Sequence, residues 1–298
     1  MIDTFTVELP HGVSLSCRAA GAPGAPLLVL LHGFPEAAFV WDPVIELLAD
    51  RFRCVAPNLR GYEKSSAPHE VEAYRAKHLV RDITALIEQF GGQASAVVAH
   101  DWGGAVAWNL AAQQPQFLRR LVIINSPHPA TFLRELKLNP LQQAASAYMN
   151  FLIRPDAEQL LAENDFARLW RFFEGLGASD APAPIAWLDA ATRQKYRAIW
   201  SQGLSGPLNF YRASPLRPPT AEDASILQLQ IPDEAVKVRL PTLVIWGEAD
   251  RALLPSLLDG LEGFVPDMRI ERMAQASHWV IHEQPQRIAA LIGEFAVD

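Results

Sequence analysis

Hydrophobic and polar residues alternate at the start of the chain and then give way to short, fully apolar runs. Residues 5–9 and 13–18 alternate on either side of Pro10 and Gly12, a pattern that predicts a β-hairpin. The apolar runs that follow are typical of strands buried on both faces of a sheet. They cover residues 27–31, 53–56, 94–99, 121–125 and 242–246.

Helical spacing of apolar positions separates several of these runs. It occurs at residues 41–49, 76–90 and 103–114, and Pro115 ends the third helix. Strands that alternate with helices predict right-handed crossovers and a mostly parallel sheet covered on both faces. We therefore predict an α/β fold with a mostly parallel central sheet flanked by helices.

This alternation stops between about Pro129 and Pro232. Helical periodicity continues there at residues 142–152, 156–171 and 184–202, and no clear strand pattern is present. The strand pattern returns at Pro241. We predict a core domain made of residues 1–128 and 233–298, interrupted by a helical cap domain at residues 129–232.

The composition narrows the classes of function. The 298 residues are half apolar and carry a formal net charge of -7, which disfavours nucleic acid as a partner. The longest apolar run is too short to cross a bilayer and no signal peptide is evident, so we expect a cytoplasmic protein without membrane contact. Cys17 and Cys54 lack the spacing of a metal site or a disulfide framework.

A candidate nucleophile stands at the junction of a predicted strand and a predicted helix. Asp101 follows the apolar run at residues 94–99 and is flanked by the small residues Ala99, Gly103 and Gly104. Such a strand–turn–helix with small flanking residues is typical of a nucleophile elbow. An aspartate that caps the helix is the alternative explanation.

Three further segments supply the groups that a nucleophile needs. The loop at residues 32–36 can present the backbone N–H of Phe34, which together with that of Trp102 would form an oxyanion hole. Asp250 follows the strand predicted at residues 242–246, and His278 lies near the C-terminus. Glu248 and Asn125 compete with Asp250 as the third member, but asparagine cannot act as a carboxylate. The order nucleophile, acid, histidine is that of a hydrolase triad.

These segments closely resemble epoxide hydrolases of the α/β-hydrolase fold over nearly the whole chain. The matching residues are HGFPE at 32–36, HDWGG at 100–104, GEAD at 247–250 and SHW at 277–279. The resemblance also implies that Tyr148 and Tyr211 are the two ring-opening tyrosines of the cap. Ala99 and Glu63 depart from the family, since glycine is more usual at both positions.

The resemblance implies a two-step hydrolysis with Asp101 as nucleophile. A carboxylate that opens an epoxide forms an ester, which water activated by His278 can cleave, whereas a serine would form an ether. Asp250 orients His278, and Tyr148 and Tyr211 protonate the alkoxide. The expected substrates are a small hydrophobic epoxide and water. No metal or organic cofactor is implied, and a homodimer is left open.

Other functions remain open on the residues alone. A haloalkane dehalogenase uses the same aspartyl ester, and Trp102 beside the nucleophile would suit a halide ligand. A fluoroacetate or other haloacid dehalogenase would place arginines where Trp102 and Ala105 stand. A non-epoxide hydrolase or a ligand-binding member of the fold is a third class. We also expect Trp102 and His128 to contact the substrate.

Overall fold

The computed structural model describes residues 1–175 and 185–297 and is built around one eight-stranded sheet. The strands are β1 (Asp3–Glu8), β2 (Ser14–Ala20), β3 (Leu27–Leu31), β4 (Arg53–Pro57), β5 (Ala94–His100), β6 (Leu118–Ile124), β7 (Thr242–Gly247) and β8 (Met268–Met273). Their order across the sheet is β1-β2-β4-β3-β5-β6-β7-β8. The hairpin β1–β2 and the β2–β4 pair are antiparallel and the other pairs are parallel, so the predicted α/β fold is confirmed.

The burial of the strands explains which of them the hydrophobic pattern could reveal. Every residue of β3 and of β7 is buried, as expected for strands covered by helices on both faces. β8 lies at the sheet edge, and only intermediate and exposed positions occur along it. The hydrophobic pattern does not reveal β8, because the charged residues of this strand interrupt any apolar run.

Helices cover both faces of the sheet. Those outside the long β6–β7 connection are α1 (Asp42–Leu48), α2 (Ala76–Gln89), α3 (Asp101–Gln113), α11 (Val280–Glu283) and α12 (Pro285–Phe295). The predicted helices at residues 41–49, 76–90 and 103–114 are confirmed within two residues at each end. α3 begins at Asp101 itself, directly after β5, which leaves no loop between the strand and the helix.

The connection between β6 and β7 consists of helices and irregular segments in its described part, without a strand. It contains α4 (Pro129–Leu138), α5 (Pro140–Ala145), α6 (Tyr148–Leu152), α7 (Ala157–Gly175), α8 (Ala190–Trp200), α9 (Ser205–Ala213) and α10 (Asp233–Val236). The helix expected at residues 142–152 is two short helices, and α7 is interrupted by left-handed backbone at Asn164, Asp165 and Phe166. The helix expected at residues 184–202 is α8, and Pro184 lies outside the described residues. The division into core and cap at residues 129 and 232 stays a prediction.

The parallel strands place their carboxyl ends at one edge of the sheet. Phe34 follows β3, Asp101 follows β5, Asn125 follows β6 and Asp250 follows β7. In α/β folds this edge is where ligands bind. Along the described part of the chain, no helix combines the length and the apolar character needed to cross a membrane.

Candidate active site

Asp101 occupies a strained turn between β5 and α3. Its φ is +48°, in the left-handed region that an aspartate rarely adopts. A Cβ atom at Gly33 would lie 2.4 Å from the Cβ of Asp101, and one at Gly103 would lie 2.5 Å from the carbonyl oxygen of Leu31. Glycine is therefore required at both positions for the loop after β3 to approach the elbow. Ser126 Oγ donates to the backbone carbonyl of Asp101 at 2.6 Å.

The two carboxylate oxygens of Asp101 have different neighbours. The backbone N–H of Phe34 donates to Oδ1 at 2.7 Å. Oδ2 lies 3.7 Å from His278 Nε2, beyond hydrogen-bonding distance. Trp102, the other expected donor, is the second residue of α3, and its N–H belongs to the unpaired first turn of that helix. One oxygen is thus held by the loop and the other faces the histidine.

His278 and Asp250 form the remaining part of the predicted triad. His278 Nδ1 lies 2.7 Å from Asp250 Oδ2, and both side chains are almost completely buried. Asp250 Oδ1 accepts from the backbone N–H groups of Ala252 (2.8 Å) and Leu253 (2.9 Å). Because a carboxylate only accepts, it fixes the proton on Nδ1 and leaves Nε2 toward Asp101.

Asn125 belongs to the site in a role that sequence reasoning missed. Its Nδ2 donates to Asp250 Oδ2 at 2.8 Å, and its Oδ1 accepts from the backbone N–H of Gly247 at 2.8 Å. The same Asp250 oxygen therefore receives one bond from Asn125 and one from His278. Asn125 positions the acid rather than replacing it.

The charges around His278 change its basicity. Burial alone would lower its pKa, but the Asp250 carboxylate, with smaller help from Asp101 and Glu36, raises the pKa to about 9. The imidazolium is consequently the favoured form of His278 at neutral pH. Any reaction that neutralises Asp101 lowers this pKa and favours the neutral, basic form.

A second buried carboxylate, Glu36, lies behind the triad. Its Oε1 accepts from His282 Nε2 (2.5 Å) and the Tyr196 hydroxyl (3.0 Å), and its Oε2 lies 3.3 Å from His100 Nδ1. Burial opposes ionisation, but the facing His282 and His100 hold the pKa of Glu36 well below its usual range. His100 Nε2 donates to the backbone carbonyl of His278 at 2.9 Å, which links this cluster to the triad. In the sequence, the only signal for this cluster was Glu36 itself, the last residue of the HGFPE motif.

Tyr148 and Tyr211 line the same cavity as Asp101. The cavity has a volume of about 390 Å³, and all three residues line it together with Trp102. The Tyr211 ring packs edge to face against those of Phe34 and Trp102, with centroids 5.1 and 4.9 Å away. Burial, aided by the Asp101 carboxylate, raises the pKa of both tyrosine hydroxyls above the ordinary value, so both carry their protons.

His128 is not among the described residues that line the cavity, and its expected substrate contact stays a prediction. Its Nε2 donates to the carbonyl of Val236 at 2.9 Å, and its ring stacks on that of Phe264. Its Nδ1 accepts from the backbone N–H of Ala130 and caps α4. The side chain is buried.

Glu63, where glycine is more usual, and His32 both have structural explanations. Glu63 has a φ of +49°, which explains why glycine is usual there, and Ser16 Oγ donates to its carboxylate at 2.6 Å. His32 Nε2 accepts from the backbone N–H of Leu59 at 3.0 Å and supports the loop that carries Phe34. Within the described residues, no group of three or more His, Cys, Asp or Glu side chains is arranged to hold a metal ion.

Comparisons with known proteins agree with this fold. Residues 26–285 match the family model described as the alpha/beta hydrolase fold. The chain is 36% identical over 289 residues to AB hydrolase superfamily protein YfhM of Bacillus subtilis, covering 96% of this chain and 95% of that protein. It is 32% identical to mouse Epoxide hydrolase 4, covering 95% of this chain and 76% of that protein.

A solved structure agrees with the match to this family. An epoxide hydrolase of Bacillus megaterium, crystallised with an inhibitor, superposes with a TM-score of 0.87 at 32% identity over 98% of this chain and 99% of that one. A likeness at this identity, across essentially complete chains, extends from the sheet through the helical connection. The protein therefore belongs to the α/β-hydrolase family.

Proposed function

We propose that this protein hydrolyses epoxides to vicinal diols through a covalent ester on Asp101. The observation that carries the proposal is the shared cavity, which is lined by the Asp101 carboxylate and by Tyr148 and Tyr211, whose raised pKa values favour the protonated form. Two of the relatives described above are named epoxide hydrolases, which supports the same chemistry. Water and a hydrophobic epoxide are the substrates, with no metal or cofactor involved.

The first step opens the ring. Asp101 Oδ2, the oxygen that the loop does not hold, attacks a ring carbon and forms a C–O ester bond. The carbon–oxygen bond of the epoxide breaks and its electron pair moves to the ring oxygen. That oxygen takes a proton from Tyr148 or Tyr211, since an alkoxide is far more basic than a phenolate.

The second step cleaves the ester. His278 Nε2 removes a proton from water, and the resulting hydroxide attacks the carboxyl carbon of Asp101. Oδ1 takes the negative charge of the tetrahedral intermediate, where the N–H of Phe34 already donates to it. The bond between the carboxyl carbon and the diol oxygen then breaks, and that oxygen takes the proton of the newly formed carboxyl group. The diol leaves, Asp101 returns to its carboxylate form, and the proton held by His278 restores the tyrosine.

The charge on Asp101 controls when each of the two steps can occur. Esterification removes one of the negative charges that raise the pKa values of His278 and of both tyrosines, beside the larger effects of Asp250 on the histidine and of burial on the tyrosines. The tyrosines become stronger acids as the alkoxide forms. His278 then releases its proton to solvent more readily, which makes Nε2 a base for ester hydrolysis. One event therefore prepares the donors and the base together.

A substrate panel tests the proposal. Purified wild type should convert aryl and alkyl epoxides to diols, and Asp101→Asn should not. Tyr148→Phe and Tyr211→Phe should slow epoxides while leaving any haloalkane rate unchanged, because halide needs no proton. Turnover of haloalkanes without turnover of any epoxide would overturn the proposal.

Haloalkane dehalogenation is a second candidate because of Trp102. Its ring lines the cavity next to Asp101, where an indole N–H could receive a departing halide. The same panel decides between the two, since chloride or bromide release depends on Trp102 and not on the tyrosines. A Trp102→Phe variant should then lose halide release selectively.

A further inference from the structure

Helix α3 lines the cavity along its whole length. Asp101, Ala105, Asn109 and Gln113 all border the cavity and follow one another at intervals of four residues. Residues four apart share a face of a helix. Twelve residues at a rise of 1.5 Å each place Gln113 about 18 Å along α3 from Asp101.

Exposure increases along this face. Asp101, Ala105 and Asn109 are half-buried and Gln113 is exposed. The lining also includes apolar side chains of α6, of the segment between α9 and α10, and of α10: Met149, Leu216, Leu229, Ile231 and Val236. The cavity is thus an apolar channel, hereafter the α3 channel, that runs from the nucleophile to the surface.

The far end of the α3 channel is polar but uncharged. Gln113 Nε2 donates to Asn109 Oδ1 at 3.1 Å, and Asn109 Nδ2 donates to the carbonyl of Ala105 at 2.8 Å. Asp101 is the one charged side chain among the described residues that line the cavity. A neutral polar group can bind beside the two amides, whereas a carboxylate finds no cation there.

The other side of Asp101 is closed by aromatic rings. The rings of Phe34 and Phe172 pack edge to face with centroids 5.8 Å apart, and Phe172 also packs against Tyr148 at 5.5 Å. Neither phenylalanine borders the cavity in the described part of the chain. The described lining of the cavity follows α3 away from the nucleophile, through Ala105 and Asn109.

We infer that the preferred substrate is a neutral epoxide with one long arm that lies in the α3 channel and reaches Asn109 and Gln113. An extended chain advances about 1.2 Å per bond, so an arm of about 10 to 15 atoms spans the distance from Asp101 to these amides. Asn109 and Gln113 then act as specificity-determining residues. This inference rests on the proposed epoxide hydrolysis.

The first test is a series of 1,2-epoxyalkanes with arms of 2 to 14 atoms that end in a methyl, hydroxyl, amide or carboxylate group. The value of kcat/KM should rise by up to about fourfold per methylene buried and level off once the arm reaches the surface. Among the longest members, the hydroxyl and amide should exceed the carboxylate. A value independent of arm length would overturn the inference.

Two variants test the channel itself. Asn109→Trp should lower the ratio of kcat/KM between long-arm and short-arm epoxides by about tenfold or more, because the ring obstructs the channel. Gln113→Lys should raise kcat/KM for the long carboxylate by about two- to fivefold through a partly exposed ion pair. Gln116→Lys, exposed and outside the lining, adds the same charge and should leave these ratios at wild-type values.

These outcomes separate the inference from the function on which it rests. If wild type opens no epoxide of any length, the proposed function fails. If it opens short and long epoxides equally well, and Asn109→Trp does not change their ratio, only the channel inference fails. Equal effects of the two lysine variants would likewise contradict the assignment of Gln113.

Discussion

The two sides of Asp101 differ in chemistry. The sheet side is charged and hydrogen-bonded, with Asp250, His278 and Glu36 all buried. The helical side is aromatic and apolar, and its polar atoms near the nucleophile are the hydroxyls of Tyr148 and Tyr211. Fixed charges suit the activation of water, whereas an apolar wall with two hydroxyls suits a hydrophobic ring that must be opened. In the proposed mechanism, the sheet side hydrolyses the ester and the helical side opens the ring.

The strongest test of this division is to remove the base. His278→Gln should lower steady-state turnover by about 10³-fold or more, since water is no longer activated. Ring opening should persist, so one equivalent of epoxide should be consumed and remain bound. Rapid-quench measurement of substrate and intact-protein mass would detect the adduct. Asp101→Asn is the control that should form none.

Removal of the tyrosines tests the helical side. Tyr148→Phe and Tyr211→Phe should each slow ring opening by about 10²-fold, the lower range for a lost general acid. The hydrolysis rate of a preformed ester should not change, because the sheet side is intact. Single-turnover kinetics separates the two steps. Equal slowing of both steps would mean that the division is wrong.

A substitution at Glu36 tests whether the buried charges on the sheet side also stabilise the fold. Glu36→Gln removes the charge that faces His282 and His100 and should cost about 2 kcal/mol of unfolding free energy, as for a buried hydrogen bond to a charged group. Glu248→Gln is the matched control, because Glu248 pairs with Arg272 at the surface (3.0 Å) and should cost under about 1 kcal/mol. Urea denaturation of both variants measures the difference.

The smallest expected effect is a shift in titration. His278 should titrate at a pKa of about 9 in wild type, being protonated below that pH and neutral above it. Asp101→Asn removes one of the negative charges that favour the imidazolium, so the titration should move to lower pH. NMR of the imidazole protons measures both. A shift to higher pH would contradict the proposed timing of the two steps.

The hydrophobic pattern predicted the interior strands well because their residues are uniformly buried, as in β3 and β7. It missed β8, whose edge position tolerates charges. Motifs placed Asp101, Asp250 and His278 because short segments after parallel strands meet at one edge. Asn125 and Glu36 escaped assignment because their contacts, with Asp250 and His282, join residues over 100 positions apart. The contacts of His128 with Val236 and Phe264 also could not be predicted, because sequence does not show which way a side chain turns.

The covalent ester on Asp101 is most directly tested by a single turnover in heavy-oxygen water. With enzyme in excess over epoxide, water attacks the carboxyl carbon, so the heavy oxygen should enter the Asp101 side chain and the first diol should be unlabelled. Mass analysis of the peptide that contains Asp101 gives the first result, and mass analysis of the diol gives the second. Label found in the diol, with none in Asp101, would contradict the account.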